Sequence, residues 1–215
     1  MAGYAVKEIF LTLQGEGIQA GRRAVFCRFS GCNLWSGREA DRAGAECTFC
    51  DTDFVGMDGD GGGRYPTADA LADTIAAMWA RGLEVPGGEP LVVITGGEPL
   101  LQLDTALIDA IHARGLSIAI ETNGTIAAPP GIDWICVSPK AGTTIVQKRG
   151  HELKLVWPQP GIDVRELAGW DFAHFLVQPL DSPARDAARA ACIDLITGQP
   201  QWRLSLQSHK MIGLR

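Results

Sequence analysis

What the chain lacks narrows its chemistry before any motif is read. No stretch approaches the roughly 20 apolar residues of a membrane span, and residues 1–13 have neither the basic start nor the apolar run of a secretory signal. A cytoplasmic location without a membrane partner is therefore expected. There is no clustered basic stripe either. With 19 Lys and Arg against 25 Asp and Glu, the net charge is −6, which argues against a nucleic-acid-binding surface. A chain of 215 residues with no secretory start does not need disulfide staples, so its six cysteines point to metal-binding or catalytic thiols in a reduced compartment. The acidic, glycine-rich stretch 56–63 lacks the ligand spacing of an EF-hand and reads as a mobile loop.

What is present describes a globular α/β protein. A composition of 46% hydrophobic and 20% charged residues suits one domain over 1–215 with a substantial core. Strand patterns cover 6–11, 24–29, 91–94, 116–121, 134–137, 153–156, 172–177 and 202–206. Helical spacing covers 67–81, with Leu71, Ile75, Met78 and Trp79 on one face, Thr67 as N-cap and Gly82 as terminator. It recurs over 104–114, with Leu107, Ile108 and Ile111 on one face. Ser182-Pro183 reads as N-cap and first helical residue of a helix running toward Ile196. This alternation predicts repeated βα units around a mostly parallel sheet.

Ligands of parallel sheets bind outside the carboxyl ends of the strands, and here those ends are polar. Thr95-Gly96-Gly97-Glu98, Glu121-Thr122-Asn123-Gly124, Ser138-Pro139-Lys140 and Gln178-Pro179-Leu180-Asp181 each follow a strand. Gly-Gly-Glu-Pro occurs twice, as 87–90 and as 96–99. The first precedes the strand at 91–94 and reads as a plain turn, whereas the second follows it and belongs to the functional rim.

Cys32 and the Cys47-x-x-Cys50 pair carry the metal signal, because two intervening residues let both sulfurs turn to one centre while a third arrives from further along the loop. Three thiolates on a 4Fe-4S cluster leave one iron free for a ligand. Spacing alone leaves structural zinc open as well, although zinc usually takes four protein ligands and no second Cys pair or His pair lies nearby. Cys27, Cys136 and Cys192 sit in apolar contexts and read as core.

The cysteine trio, Phe49 before the last of them, and the glycine turn at 96–98 resemble the radical S-adenosylmethionine superfamily. That superfamily usually has three residues in the first gap; here the gap holds the fourteen residues 33–46, whose Gly37, Gly44 and polar residues suit a surface excursion. Glu8-Ile9-Phe10, Leu13-Gln14-Gly15-Glu16-Gly17, Arg28 before Ser30-Gly31-Cys32, Cys50-Asp51-Thr52 and His209-Lys210 are similar to the 7-carboxy-7-deazaguanine synthases over nearly the whole chain. The resemblance implies an open, partial (β/α) barrel of the radical S-adenosylmethionine type. It implies a carbon-nitrogen lyase that contracts 6-carboxy-5,6,7,8-tetrahydropterin to 7-carboxy-7-deazaguanine with loss of ammonia, toward queuosine. It also implies a 4Fe-4S cluster, S-adenosylmethionine as radical source, magnesium, an electron-donating reductase such as a flavodoxin or ferredoxin, and a homodimer, to which Trp35 or Trp157 would contribute apolar surface.

The resemblance implies the following site roles. Cys32, Cys47 and Cys50 hold the cluster, and Thr52 offers magnesium a hard oxygen, the alternative being a cap by Thr52 or Asp53. Phe49, Gly96, Gly97, Glu98, Glu121, Asn123, Ser138, Pro139, Lys140, Gln178, Pro179, Leu180 and Asp181 surround the cofactor, with Glu98 either holding the turn or neutralising charge. Leu13, Gln14, Gly15, Glu16, Arg28, Thr95, His209 and Arg215 meet the pterin. Gln14 and Glu16 match a donor and acceptor edge, and Arg28, alternating with Cys27 and Phe29, faces away from them to grip a carboxylate. No protein nucleophile is required. A glycyl-radical-activating enzyme and a non-catalytic metal-binding scaffold are the alternatives; neither accounts for Gln14, Glu16 and Arg28 together.

Overall fold

The structure is a computed structural model that describes residues 3–85 and 87–214. Its frame is one nine-stranded sheet. In chain order the strands are β1 (Tyr4–Leu13), β2 (Arg23–Phe29), β3 (Gly63–Tyr65), β4 (Leu91–Gly96), β5 (Ser117–Thr122), β6 (Trp134–Val137), β7 (Arg149–Trp157), β8 (Asp171–Pro179) and β9 (Trp202–Leu204). Their spatial order is β3-β1-β2-β4-β5-β6-β7-β8-β9. β1 runs antiparallel to β2 and β3, and every other pairing is parallel. β3 and β9 do not pair with each other, so the sheet is open, the mostly parallel partial barrel expected.

Helices cover the outer face because the sheet buries apolar residues there. Helices α1 (Ala68–Ala80) and α2 (Thr105–His112) press Leu71, Ile75, Leu107, Ile108 and Ile111 against Val25, Cys27, Val92, Ile94, Ile118 and Ile120. Fully burying each such side chain contributes about 1.5–3 kcal/mol. Both helices begin where the sequence predicts. The Thr67 hydroxyl accepts from the Ala70 N–H at 3.2 Å, and the Asp104 carboxylate from Leu107 N–H at 3.0 Å. A second cluster joins Leu153, Leu155, Val177 and Trp202 to α3 (Val164–Leu167) and α4 (Arg185–Gly198) through Val164, Leu167 and Cys192. A one-turn α5 (Ser208–Met211) closes the chain.

Four expectations are corrected. The stretch 56–63 is fastened to β1, with Gly59 N–H donating to Lys7 O at 3.0 Å and Ile9 N–H to Asp60 O, and it feeds β3. Helix α4 starts at Arg185 rather than at Pro183, because Ser182 closes a turn first, accepting from Ala184 N–H on its hydroxyl and from Arg185 N–H on its carbonyl. The last strand stops at Leu204, with Ser205 N–H making the final bond to Val177 O. Trp35 and Trp157 are not exposed apolar surface: Trp35 is buried edge-on against Phe54, and Trp157 packs on the second core cluster.

Candidate active site

Strand side chains alternate between faces, and on the inner face this alternation makes two layers. The lower layer is apolar, with Ala24, Leu91, Val93 and Ala119 packed by Phe26 and Trp134. Above it, toward the carboxyl ends, Arg28, Thr95, Glu121, Lys154 and Gln178 line a cavity of about 610 Å3, within the ordinary range for small-molecule sites. Arg28 faces this cavity while Cys27 and Phe29 lie fully buried in the outer core, as the alternation predicts.

One end of the cavity is built by cysteines. Cys32, Cys47 and Cys50 all line it and are free thiols. The neighbouring Cys47 thiol pulls the Cys50 pKa down, while Cys50 and burial push Cys47 up. Leu34 N–H donates to the Cys32 sulfur at 3.4 Å. Among the described residues no three of His, Cys, Asp and Glu converge on one ion. A cubane spreads its ligands over separate iron corners. Three free thiols lining one cavity suit that larger group. Cys27 and Cys192 lie in the two cores. Cys136 is buried, its thiol 3.5 Å from Glu152 Oε1.

The glycine turn abuts this wall. A Cβ on Gly97 would overlap the Cβ of Cys32 and the carbonyl of Gly31, and Gly96, at φ +154°, lies against Phe29 O. Only residues without side chains fit. Glu98 does not line the cavity: it is fully buried, accepting from Leu100 N–H (3.0 Å), Thr122 Oγ1 (2.8 Å) and Asn123 N–H (2.8 Å). Burial pushes its carboxyl pKa up, against these three bonds. Of its two expected roles it performs the first, holding the turn. Glu98→Gln would aim an amide NH2 at one of two backbone N–H groups, at a cost of about 1–3 kcal/mol. Urea denaturation of the variant is expected to show that loss.

Around the same mouth, Asn123 donates to Asn33 Oδ1 at 2.9 Å. Lys140 Nζ bonds the Ser138 hydroxyl and carbonyl and lies 5.8 Å from the Phe49 ring centre. Gln178, Pro179, Leu180 and Asp181 line the wall, as does Thr52. Pro139 lies outside it, its carbonyl accepting from Gln159.

The same cavity carries a charge network. Lys154 Nζ sits 2.6 Å from Glu16 and 2.8 Å from Glu121, and Gln14 donates to Glu121 at 3.3 Å. Burial alone would raise Glu16, but Lys154, Gln207 and Gln178 outweigh it and hold its pKa at about 2. Burial, together with the Glu16 and Glu152 charges, keeps Glu121 raised despite Lys154. Glu121, expected beside the cofactor, is thus grouped with Gln14 and Glu16. Arg28 Nε bonds Glu8 at 2.8 Å, and Thr95 and Leu13 complete this side. The chain end folds over it. Ser208 donates to Gly15 O, and the His209 ring occupies the space a Gly15 side chain would need. Lys210 pairs with Asp51 (2.7 Å) and Asp181 (2.6 Å). Arg215 lies outside the described residues.

Lys154 and Gln207 also line the cavity with no sequence expectation attached to them, and Glu8 and Lys210, quoted for the resemblance, line it without having been given a role. Lys154 had a signal, being the one charge in the run 153–156, out of phase with the core residues Leu153 and Leu155, which is the argument that located Arg28.

An open parallel barrel with free thiols, a glycine turn and a ligand cavity at its strand ends defines a radical S-adenosylmethionine enzyme. No protein-family model matches the chain, but curated relatives do. It is 62% identical to a 7-carboxy-7-deazaguanine synthase of Bordetella pertussis, covering 98% of this chain and 99% of that one. Enzymes of the same name from Bradyrhizobium diazoefficiens (62%; 99% of each chain) and Nitratidesulfovibrio vulgaris (54%; 98% and 99%) also match. The crystal structure of QueE from Escherichia coli superposes with a TM-score of 0.70 at 26% identity, over 97% of this chain and 96% of that one. The chain belongs to the 7-carboxy-7-deazaguanine synthase family. Membership implies a 4Fe-4S cluster and S-adenosylmethionine. No helix among the described residues is long and apolar enough to cross a membrane.

Proposed function

We propose that the chain, acting as one catalytic domain, contracts 6-carboxy-5,6,7,8-tetrahydropterin to 7-carboxy-7-deazaguanine with loss of ammonia, a step toward queuosine. The observation that carries this reading is one cavity lined by three thiols and a bare glycine turn and also by Arg28 and an amide-carboxylate set. Cys32, Cys47 and Cys50 would hold the cluster. Bound together, cluster and S-adenosylmethionine supply the radical that abstracts hydrogen from substrate.

The chain's own residues bind and orient. Gln14, Glu16 and Glu121 present donors and acceptors to the pterin edge, Lys154 fixes the two carboxylates, and Arg28 receives the substrate carboxylate. Thr95 and His209 close the pocket, and Arg215 would join them. On the cofactor side Gly96 and Gly97 admit close backbone approach, and Phe49, Asn123, Ser138, Lys140 and residues 178–181 flank it. Thr52 supplies a hard oxygen for magnesium, which would share the substrate carboxylate and neutralise it. A flavodoxin- or ferredoxin-type reductase would deliver the electron in the cytoplasm, in keeping with six unpaired cysteines. A homodimer would use surface other than the buried Trp35.

Anaerobic reconstitution with iron and sulfide, then incubation with S-adenosylmethionine, reductant, magnesium and the carboxytetrahydropterin, tests this directly. Deazapurine product is expected, with yield falling when magnesium is omitted. Cofactor cleavage without deazapurine would overturn the substrate assignment.

A further inference from the structure

The fourteen residues between Cys32 and Cys47 form an exposed excursion around a 3-10 turn (Glu39–Gly44), and a cluster loop of that length needs something to bring Cys47 and Cys50 back to a fixed place. One side chain is placed to do so. Arg42 Nη1 donates to the carbonyls of both Thr48 and Cys50 at 3.0 Å, bridging the Cys47–Cys50 segment across its second half. The rest of the guanidinium is held on two sides: its plane lies over the Trp35 ring, 4.1 Å from the ring centre, and Nε donates to both Glu39 oxygens at 2.8 and 2.9 Å.

Trp35 is itself anchored. It is buried, edge-on to Phe54 at 5.6 Å, and donates from Nε1 to Arg38 O at 3.1 Å. Leu34 O accepts from Glu46 and Cys47 N–H, so the ends of the excursion are tied together. The guanidinium therefore links a buried aromatic fixed to the segment after the cluster with the backbone that carries two cluster thiols.

We propose that Arg42 is the positioning residue of the cluster loop, holding the Cys47–Cys50 backbone in its ligating shape whether or not a cluster is bound. A planar fork with several fixed donors can bridge two carbonyls while stacking on an indole; an ammonium cannot do both. Lysine at this position would keep the charge but could not hold the bridge together with the indole stack and the Glu39 pair.

The proposal rests on the assignment of the three cysteines to a cluster, and the test separates the two. Wild type, Arg42→Ala, Arg42→Lys and the remote surface control Arg189→Ala are reconstituted anaerobically, and iron per chain, the electron paramagnetic resonance spectrum of the reduced protein and the rate of iron loss to a chelator are measured. The expected result is faster iron loss from Arg42→Ala, by about tenfold or more for two lost charge-assisted bonds, with an altered spectrum. Arg42→Lys is expected to fall between it and wild type, and Arg189→Ala to match wild type. Iron loss from Arg42→Ala within about twofold of wild type overturns the proposal; if that variant does not fold, a wild-type rate in Arg42→Lys overturns it. Failure of wild type itself to take up iron and sulfide overturns the cysteine assignment instead.

Discussion

Replacing Lys154 with methionine is expected to destabilise the protein by about 3–5 kcal/mol at neutral pH, the cost of stripping one partner from a buried ion pair, and to raise the KM for the pterin. Lys154 is 4% exposed and carries Glu16 and Glu121 on one ammonium. Burial alone would lower its pKa, but the two carboxylates hold it well above the ordinary lysine range. Methionine keeps the volume and removes the charge, leaving two neighbouring carboxylates, with Glu152 nearby, in a site that already penalises their ionised forms.

The pH dependence has a definite sign. In wild type the folded pKa of Glu16 is depressed from 4.5 to about 2, so its contribution is complete above about 4.5 and is lost as pH falls toward 2. Without Lys154 both carboxylates are raised in the folded state, and a raised acid stabilises below its unfolded pKa and loses that contribution as pH rises through the folded value. The gap between wild type and Lys154→Met should therefore be wider at pH 8 than at pH 5. Urea denaturation at the two pH values measures it; a gap that stays constant or narrows toward pH 8 would refute the ion-pair account. Gln14 donates to Glu121, so the edge offered to the pterin is disordered by the same change.

That Lys154 escaped the sequence reading while Arg28 did not shows where legibility ends. Both are single charges alternating with core residues in a strand, but Arg28 lies beside a recognisable cysteine motif and Lys154 stands alone. Runs such as Leu91–Ile94 are readable because a parallel strand covered on both faces is apolar throughout. β3 is three residues, one of them glycine, and forms because β1 offers it an edge. The helices α3 and α5 are single turns, too short for any periodicity to show. The company Glu121 keeps depends on β7 lying two strands away from β5, a matter of register and order that one strand's sequence does not contain. Arg42 reads as an ordinary surface arginine until the excursion folds Trp35 beneath it.

The second Gly-Gly-Glu-Pro turn gives the other large effect, and the first provides its control. Gly97→Ala is expected to abolish stable cluster binding and to lower product formation by at least about 100-fold, the penalty for displacing a reacting centre by an ångström or so. The added methyl would overlap the Cys32 Cβ and the Gly31 carbonyl, and the Gly31 backbone cannot give way easily. Gly31 O accepts from Glu98 N–H at 3.0 Å while Gly31 N–H donates to Phe54 O at 3.2 Å, so moving that backbone disturbs the buried Glu98 brace and the Phe54 packing together. The yielding element is then Cys32, shifted away from Cys47 and Cys50. Gly87→Ala makes the same chemical change in the same tetrapeptide, where a Cβ meets nothing within 4 Å, and it should load iron and turn over as wild type does. Iron content and product yield of the two variants, measured side by side, check both expectations; equal iron content in Gly97→Ala and Gly87→Ala would show that the turn does not set the position of Cys32.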